Sequence, residues 1–351
     1  MLTPPPVLFL AGAATAYFAV NAVHILRSPN PSSLQKSLGG ILIFWALLNA
    51  KDILMGFPEI YTEEVAPYFV LFDGLSITSY FIFIFELTET SWATWKKGFY
   101  ISLPFFIFWT IYAIWPCYEV YNIYIVFLWI AGVVFFIYAF IKMKKHERYI
   151  LENYSNIDEI DISWLKYMFF FAFFEQTLYF VMSVKYNFLI ELLYYISAIG
   201  MWNIAIYYTK NLRPITIIES PEPELEMIRN EKRSYTFASN IEKLVENQEL
   251  YLNKDLTLTD LAKKVGTNRT YLSDYFSNHK HTTFYDYINQ LRIEQMAIPM
   301  IQQHPEYTLE FIATESGFKS ISTFRRAFAK FKGMSPSQYR SELEAIINTK
   351  V

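Results

Sequence analysis

The sequence has little charge and almost no cysteine. Charged residues make up 18% of its 351 residues, against about 25% in a typical soluble globular protein. The single cysteine, Cys117, excludes an internal disulfide and any metal site built from several thiolates. Of the five histidines only His279 and His281 are close in sequence, and they fall in a predicted turn. We therefore expect no metal site. The sequence also has no H-E-x-x-H, no Gly-rich phosphate loop and no Ser/His or paired-Asp arrangement at matched depth, so we expect no cofactor and no enzymatic activity.

The scarce charge is unevenly distributed. Residues 1–213 hold 13 Lys or Arg and 15 Asp or Glu, scattered between apolar runs, whereas residues 214–351 hold 17 and 18 in a shorter stretch. We expect a membrane-embedded first part, residues 1–213, and a soluble second part.

Seven apolar stretches in the first part are long enough to cross a bilayer, which takes about 20 residues of helix. They are 7–26, 38–56, 67–88, 98–115, 121–141, 164–184 and 187–209. The polar gaps are short, which suits a bundle of helices, because backbone exposed to lipid must satisfy its own hydrogen bonds. The residues before the first stretch include no Lys or Arg, so we interpret that stretch as a span and not as a signal peptide. The predicted fold class is all-α, with a seven-helix transmembrane bundle followed by a helical domain.

Positive charges in the loops predict the orientation. Alternate loops, starting with the one after the first span, collect 11 of the 13 Lys and Arg of the first part, and the loops on the other side hold one. The remaining one, Lys51, lies inside a span. Because Lys and Arg are enriched in cytoplasmic loops, the N-terminus is predicted outside and the second part in the cytoplasm.

Five ionisable residues of the predicted spans are candidates for a site: Lys51, Asp52, Asp73, Glu175 and Glu191. Such residues are costly in lipid and usually face the bundle interior or a cavity. The predicted orientation gathers them in the outer half of the bundle. One interpretation is a polar pocket for an unknown small-molecule signal. The other is a cluster around Lys51 that only holds helices together.

The junction after residue 213 is rich in proline and Glu, which predicts a solvated linker at 214–234. From Thr236 onward, helical spacing places three apolar residues on one face: Ile241, Leu244 and Val245. This helix either packs on the following module or forms a homodimer, and we favour packing.

Residues 257–278 show the spacing of a helix-turn-helix. Thr257 and Asp260 can cap a first helix. Ala262 is small where two helices must approach, and Gly266 suits the left-handed turn that follows. The second helix, about 268–277, has a predicted exposed face with Arg269, Thr270, Ser273 and Asp274. Asp274 would repel phosphate, although it could accept from a cytosine amine.

The pattern returns at 308–331 with a turn one residue longer. Ala313 and Gly317 repeat the four-residue interval of Ala262 and Gly266. The predicted exposed face of this second recognition helix presents Ser322, Thr323, Arg325 and Arg326. Between residues 317 and 340 there are six Lys or Arg and no Asp or Glu. This charge would favour DNA phosphates.

A helix predicted from the spacing of Phe284, Tyr287, Ile288 and Leu291 connects the two units. Sixteen residues of helix span about 24 Å, and such a rod could hold two recognition helices near one duplex turn apart, about 34 Å. Because proline removes a backbone hydrogen bond, Pro299 predicts that this helix ends early.

These motifs together resemble the DNA-binding domain of AraC/XylS-type regulators over about 100 residues, within a domain predicted at 235–345. The matching stretches are LTLTDLA at 256–262, YLSDYF at 271–276, FYDYINQLRI at 284–293, GFKSISTFRRAF at 317–328 and GMSPSQYR at 333–340. The sequence departs from the family at Pro299, where the family has leucine.

The resemblance implies a transcription regulator, most often an activator, that binds double-stranded DNA through two recognition helices. Its implied DNA readers are Arg269, Thr270 and Ser273 in the first unit, and Ser322, Thr323 and Arg326 in the second. Arg292 and Ile293 match a linker-helix motif and are implied to be structural. RNA polymerase is an implied further partner.

The membrane part resembles the multispan sensor regions that some bacteria attach to such domains. The favoured interpretation is a one-component sensor in the bacterial inner membrane. The alternative is a receptor or transporter-like protein whose C-terminal module docks cytoplasmic proteins.

Overall fold

The computed structural model describes residues 3–89, 91–185, 187–213, 215 and 238–349. Apart from residue 215, the linker predicted at 214–234 lies outside the described residues. The described residues are helical with no strand, which confirms the all-α prediction. The chain forms two compact units, Met1–His146 with Ile162–Ile217, and Glu147–Asp161 with Ile218–Val351.

Eight helices build the first unit, and the end of the sixth belongs to the second. They are α1 (Pro5–Leu26), α2 (Ser33–Asp52), α3 (Ala66–Asp73), α4 (Ser76–Thr88), α5 (Trp95–Ile114), α6 (Tyr118–Asn153), α7 (Leu165–Val184) and α8 (Phe188–Thr209). Six helical stretches of the described residues, with α3 and α4 forming one, are long and apolar enough to cross a membrane. Helix α7, which is 20 residues long and lies where the sixth span was predicted, is not among these six.

Aromatic rings fill the core of the first unit. The Trp45 ring of α2 lies 5.8 Å from Phe18 of α1 and 5.9 Å from Trp202 of α8, and all three side chains are fully buried. The opposite faces expose large apolar side chains, such as Phe9 at 73% and Ile114 at 80%. An apolar core with an apolar exterior is the pattern expected of a bundle in lipid.

The third predicted span is broken between Asp73 and Ser76, where α3 ends and α4 begins. A helix end leaves carbonyl groups without an intrahelical partner. Two tyrosines supply donors: the Tyr124 hydroxyl donates to the Leu71 carbonyl at 2.5 Å, and the Tyr179 hydroxyl to the Val70 carbonyl at 2.6 Å. The break is therefore satisfied within the bundle.

The second unit contains two small helical cores joined by one long helix. Its helices are α9 (Ala238–Asn247), α10 (Leu258–Val265), α11 (Arg269–Asp274), α12 (Phe284–Leu291), α13 (Ile298–Gln303), α14 (Leu309–Glu315), α15 (Ile321–Lys332) and α16 (Pro336–Thr349). A π-helical turn, Tyr275–His279, extends α11, and another, Arg292–Ala297, joins α12 to α13.

Helix α9 packs on the first of these cores. Ile241 and Val245 are fully buried, in one cluster with Leu258 and Leu272. The favoured packing interpretation of this helix is therefore confirmed within the chain.

The expectation that Pro299 ends the connecting helix was wrong. The helix continues to Gln303, and Pro299 lies in the first turn of α13, directly after the π-helical turn Arg292–Ala297. The wider turn absorbs the change in hydrogen bonding that a proline in a helix interior requires. From Phe284 to Gln303 the rod is 20 residues long, about 30 Å at the helical rise.

Candidate nucleic-acid interface

Local hydrogen bonds fix the first helix-turn-helix as its sequence predicts. The Thr257 side chain accepts from the Asp260 amide, and the Asp260 carboxylate accepts from the Thr257 amide, which starts α10. Gly266 ends α10 with a φ of +78°. Asn268 then caps α11 by accepting from the Tyr271 amide.

The second helix-turn-helix repeats this construction under tighter packing. Thr308 caps α14 and Ser320 caps α15. Gly317, in the turn, has a φ of +88°, and a Cβ at this position would lie 2.8 Å from the Leu252 carbonyl oxygen. The turn of the second helix-turn-helix therefore lies against the backbone just before the first helix-turn-helix.

Arg292, on the connecting helix, contacts both helix-turn-helix regions. Its fully buried guanidinium donates to the carbonyls of Tyr251 at 2.6 Å and Asn253 at 2.8 Å, and lies 5.5 Å from the centre of the Phe318 ring. Burial lowers the pKa of Arg292 to about 9, so the group stays charged at neutral pH. The expected structural role of this residue agrees with these contacts.

The predicted DNA readers lie on or at the start of the two recognition helices, α11 and α15. Arg269, Thr270 and Ser273 are half-buried on α11. On α15, Ser322, Arg325 and Arg326 are exposed.

Thr323 departs from the prediction, which placed it on the exposed face of α15. It is fully buried. Its backbone amide donates to Ser320, and its hydroxyl donates to the Asp158 carboxylate. The sequence pattern predicted an exposed Thr323, whereas another part of the chain, through Asp158, contacts it here.

The covering part is residues 147–161, here called the α6–α7 segment, which runs from the end of α6 to just before α7. Near α11, the Arg269 guanidinium donates to the Asn153 side chain at 3.0 Å and lies 5.6 Å from the centre of the Tyr149 ring. Tyr154 forms an antiparallel bridge with Thr257.

The same segment reaches α15. Asp158 accepts from Ser320 at 2.9 Å as well as from Thr323. An Asp161 carboxylate oxygen lies 3.6 Å from the Arg326 guanidinium. Both recognition helices therefore have predicted readers in contact with the α6–α7 segment.

Between the two recognition helices, the middle of the segment is held by backbone groups. The Ser155 hydroxyl donates to the Leu256 carbonyl at 2.7 Å, and the Ser155 carbonyl accepts from Arg292 at 2.9 Å. Asn156 donates to the carbonyls of Lys254 at 2.5 Å and Gly317 at 3.2 Å.

Several basic residues expected to meet phosphate are paired within the chain. Lys319 lies 2.6 Å from Asp255, and Lys330 lies 2.7 Å from Asp286. Arg325 is exposed and has no ion-pair partner among the described residues. Because exposed ion pairs contribute about 0–1 kcal/mol, phosphate can displace such partners at little cost.

In the compact unit that contains α1–α5, three of the five predicted pocket residues form an ion cluster. The Lys51 ammonium lies 2.5 Å from Asp52 and 2.7 Å from Asp73, and Asp52 also accepts from the Tyr195 hydroxyl at 2.9 Å. Beside the cluster lies a cavity of about 210 Å³ whose polar lining includes Asp52, Asp73, Glu191, Tyr61, Tyr121, Tyr179, Tyr194 and Tyr195.

Glu175 does not line that cavity, but it lines a smaller pocket together with Asp73, Tyr179 and Tyr194, which line both. Its carboxylate accepts from the Tyr80 hydroxyl at 2.7 Å and from Ser197 at 3.2 Å. These bonds compensate a fully buried carboxylate. Of the five residues, four therefore lie in or beside the cavity of about 210 Å³, and Glu175, with hydrogen bonds of its own, lines a pocket with Asp73.

Residues 261–342 match the helix-turn-helix domain family. This part of the chain is an AraC-type helix-turn-helix domain.

Among curated proteins, an uncharacterized HTH-type transcriptional regulator of Staphylococcus aureus (strain COL) is 33% identical over 98 residues, which cover 28% of this chain and 13% of that protein. The Msm operon regulatory protein of Streptococcus mutans is 27% identical over 128 residues, which cover 36% of this chain and 44% of that protein. The chain thus covers less than half of each relative. No solved structure matches.

The contacts of the α6–α7 segment were not predicted from the sequence. The segment reads ERYILENYSNIDEID, with five acidic residues and one basic residue. This acidic run in a loop otherwise predicted to be positive was the available signal. Nothing in its spacing identifies the helix-turn-helix units as its partner.

Proposed function

We propose that this protein is a membrane-anchored, sequence-specific transcription regulator. Its DNA-binding residues would be Arg269, Thr270, Ser273, Ser322, Thr323, Arg325 and Arg326. The observation that carries the proposal is the pair of helix-turn-helix units fixed on one connecting helix, whose Arg292 is hydrogen-bonded to backbone beside the first unit and lies 5.5 Å from the Phe318 ring of the second. Two recognition helices held in one chain can enter successive major-groove segments of one duplex.

The experiment is a binding measurement with the full chain in lipid nanodiscs and duplexes selected from a random pool. We expect salt-sensitive binding to a defined sequence, and a loss of sequence preference in Ser322→Ala/Arg326→Ala, because base contacts specify and phosphate contacts position. Glu310→Ala, an exposed change on α14, is the control. The absence of DNA binding would favour the alternative, a module that docks cytoplasmic proteins.

The membrane part of the proposal rests on the apolar helices of the first unit and on the loop charges. We place the N-terminus outside the bacterial inner membrane and the DNA-binding domain in the cytoplasm. Lipid would then surround the exposed apolar side chains of α1 and α5.

The sensing part rests on the cavity beside Lys51. Buried ion pairs in a bundle are costly unless well compensated, and here they line a space large enough for a small molecule. We propose that an unidentified signal molecule binds there and changes promoter output. The probe is a culture extract that changes the output of a reporter promoter through the unchanged chain. Lys51→Met should abolish this response while the protein level is unchanged. An unaltered response in this variant would remove the cavity from the proposal.

A further inference from the structure

The α6–α7 segment contacts the residues that the proposed function assigns to DNA. Arg269 on α11, and Thr323 and Arg326 on α15, each have a partner in it. A carboxylate bonded to a reader and a DNA phosphate or base cannot occupy the same place. The bound segment and bound DNA therefore compete for these side chains.

The chemistry of the segment is that of a DNA competitor. It carries five acidic residues against one basic residue. Asp158 binds two hydroxyls at the start of the 12-residue helix α15, where the helix dipole favours a negative group. DNA phosphate would be favoured at this position for the same reason.

The segment contacts the domain at several points between Tyr149 and Asp161. Ser155 is fully buried, and Ile157 and Ile160 are 6% and 7% exposed. Its backbone exchanges hydrogen bonds with Leu256 and Arg292. A segment bonded in this way is a specific intramolecular ligand and not a connecting loop without specific contacts.

We infer that the α6–α7 segment is an autoinhibitory element that holds the DNA-binding face closed until it is released. This inference rests on the proposed DNA binding. The segment is continuous with α6 and leads into α7, so a displacement of either helix is transmitted to it by the chain itself. Release would free Arg269, Thr323 and Arg326 together, which couples both recognition helices to one event.

The test compares two neighbouring acidic residues in the full chain in nanodiscs. Asp158 and Glu159 are both exposed, but only the Asp158 carboxylate accepts from Ser320 and Thr323. Asp158→Ala removes charge-assisted hydrogen bonds, so we expect it to bind the selected duplex about tenfold more tightly than the unchanged chain. Glu159→Ala removes the same charge and should change affinity by less than about twofold.

A second measurement uses the unchanged chain. Amide hydrogen exchange over residues 153–161 should accelerate when the duplex is added, because the Ser155 amide loses its bond to the Leu256 carbonyl. Equal affinities of Asp158→Ala and Glu159→Ala would overturn the inference, and so would unchanged protection of the segment in the DNA complex. If neither variant nor the unchanged chain binds any duplex at low salt, the proposed function itself fails, and this inference fails with it.

Discussion

Two glycines hold equivalent places in the two helix-turn-helix units, but their surroundings differ. Both have a positive φ, which disfavours any residue with a Cβ by about 1–2 kcal/mol. A Cβ at Gly266 would meet open space, whereas a Cβ at Gly317 would lie within 2.9 Å of backbone atoms of Leu252 and Tyr251. The second glycine is therefore required for the contact between the units as well as for the turn.

We expect Gly317→Ala to destabilise the DNA-binding unit by more than Gly266→Ala, which should cost about 1 kcal/mol. Proteolysis of the full chain in increasing urea, read at cleavage sites beyond residue 238, measures the difference. Equal resistance of the two variants would show that the second turn can move away from Leu252 without cost.

Arg292 gives a second prediction at this scale. Its guanidinium donates at once to the carbonyls of Tyr251 and Asn253 and to the Ser155 carbonyl of the α6–α7 segment. A lysine ammonium cannot reach all three carbonyls. Arg292→Lys keeps the charge and should still cost about 2 kcal/mol of stability, since at least one buried carbonyl loses its donor. Arg325→Lys, at an exposed position, is the control and should be neutral in the same urea assay.

At the scale of elements, α15 carries the most favourable charge for DNA. Arg325 is exposed on it, and each phosphate contact contributes about one unit to the slope of log affinity against log salt. Arg325→Ala should reduce that slope by about 1 and weaken binding to all sequences alike. Lys243→Ala on α9 removes an equal charge from another exposed position and should leave the slope unchanged.

The helices and caps of the DNA-binding unit were predictable because their signals are local. Thr257 with Asp260, and Gly266 and Gly317, each act within one turn of the chain. The course of the helix through Pro299 was not predictable, because the adjustment lies in the preceding residues 292–297 and has no residue signature. The contacts of Asp158 and Asp161 were not predictable either, since their partners lie more than 160 residues away.

In the membrane unit, periodicity and length predicted the helices but not their breaks or their cavity. The break before Ser76 depends on hydroxyls from Tyr124 and Tyr179, which belong to other helices. The five ionisable residues were visible in the sequence, but only packing shows that Lys51, Asp52 and Asp73 form the ion cluster.

At the scale of the whole molecule, the proposed orientation makes a prediction that the single cysteine can test. Cys117 precedes α6 and would lie outside, and the α6–α7 segment would lie in the cytoplasm. A membrane-impermeant maleimide should label the unchanged chain in intact cells. The double variant Cys117→Ser/Glu159→Cys has its single cysteine in the α6–α7 segment instead. It should be labelled only after the membrane is permeabilised. The reverse pattern would place the DNA-binding domain outside and exclude the proposed function.

The central claim is that the full chain reads specific DNA sites while it is anchored in the membrane. Genome-wide mapping of DNA bound by the tagged full-length protein tests it most directly. We predict enrichment at discrete sites sharing one sequence motif, lost in Ser322→Ala/Arg326→Ala while the protein remains in the membrane fraction. Enrichment that is absent, or that is unchanged in this variant, would contradict the account.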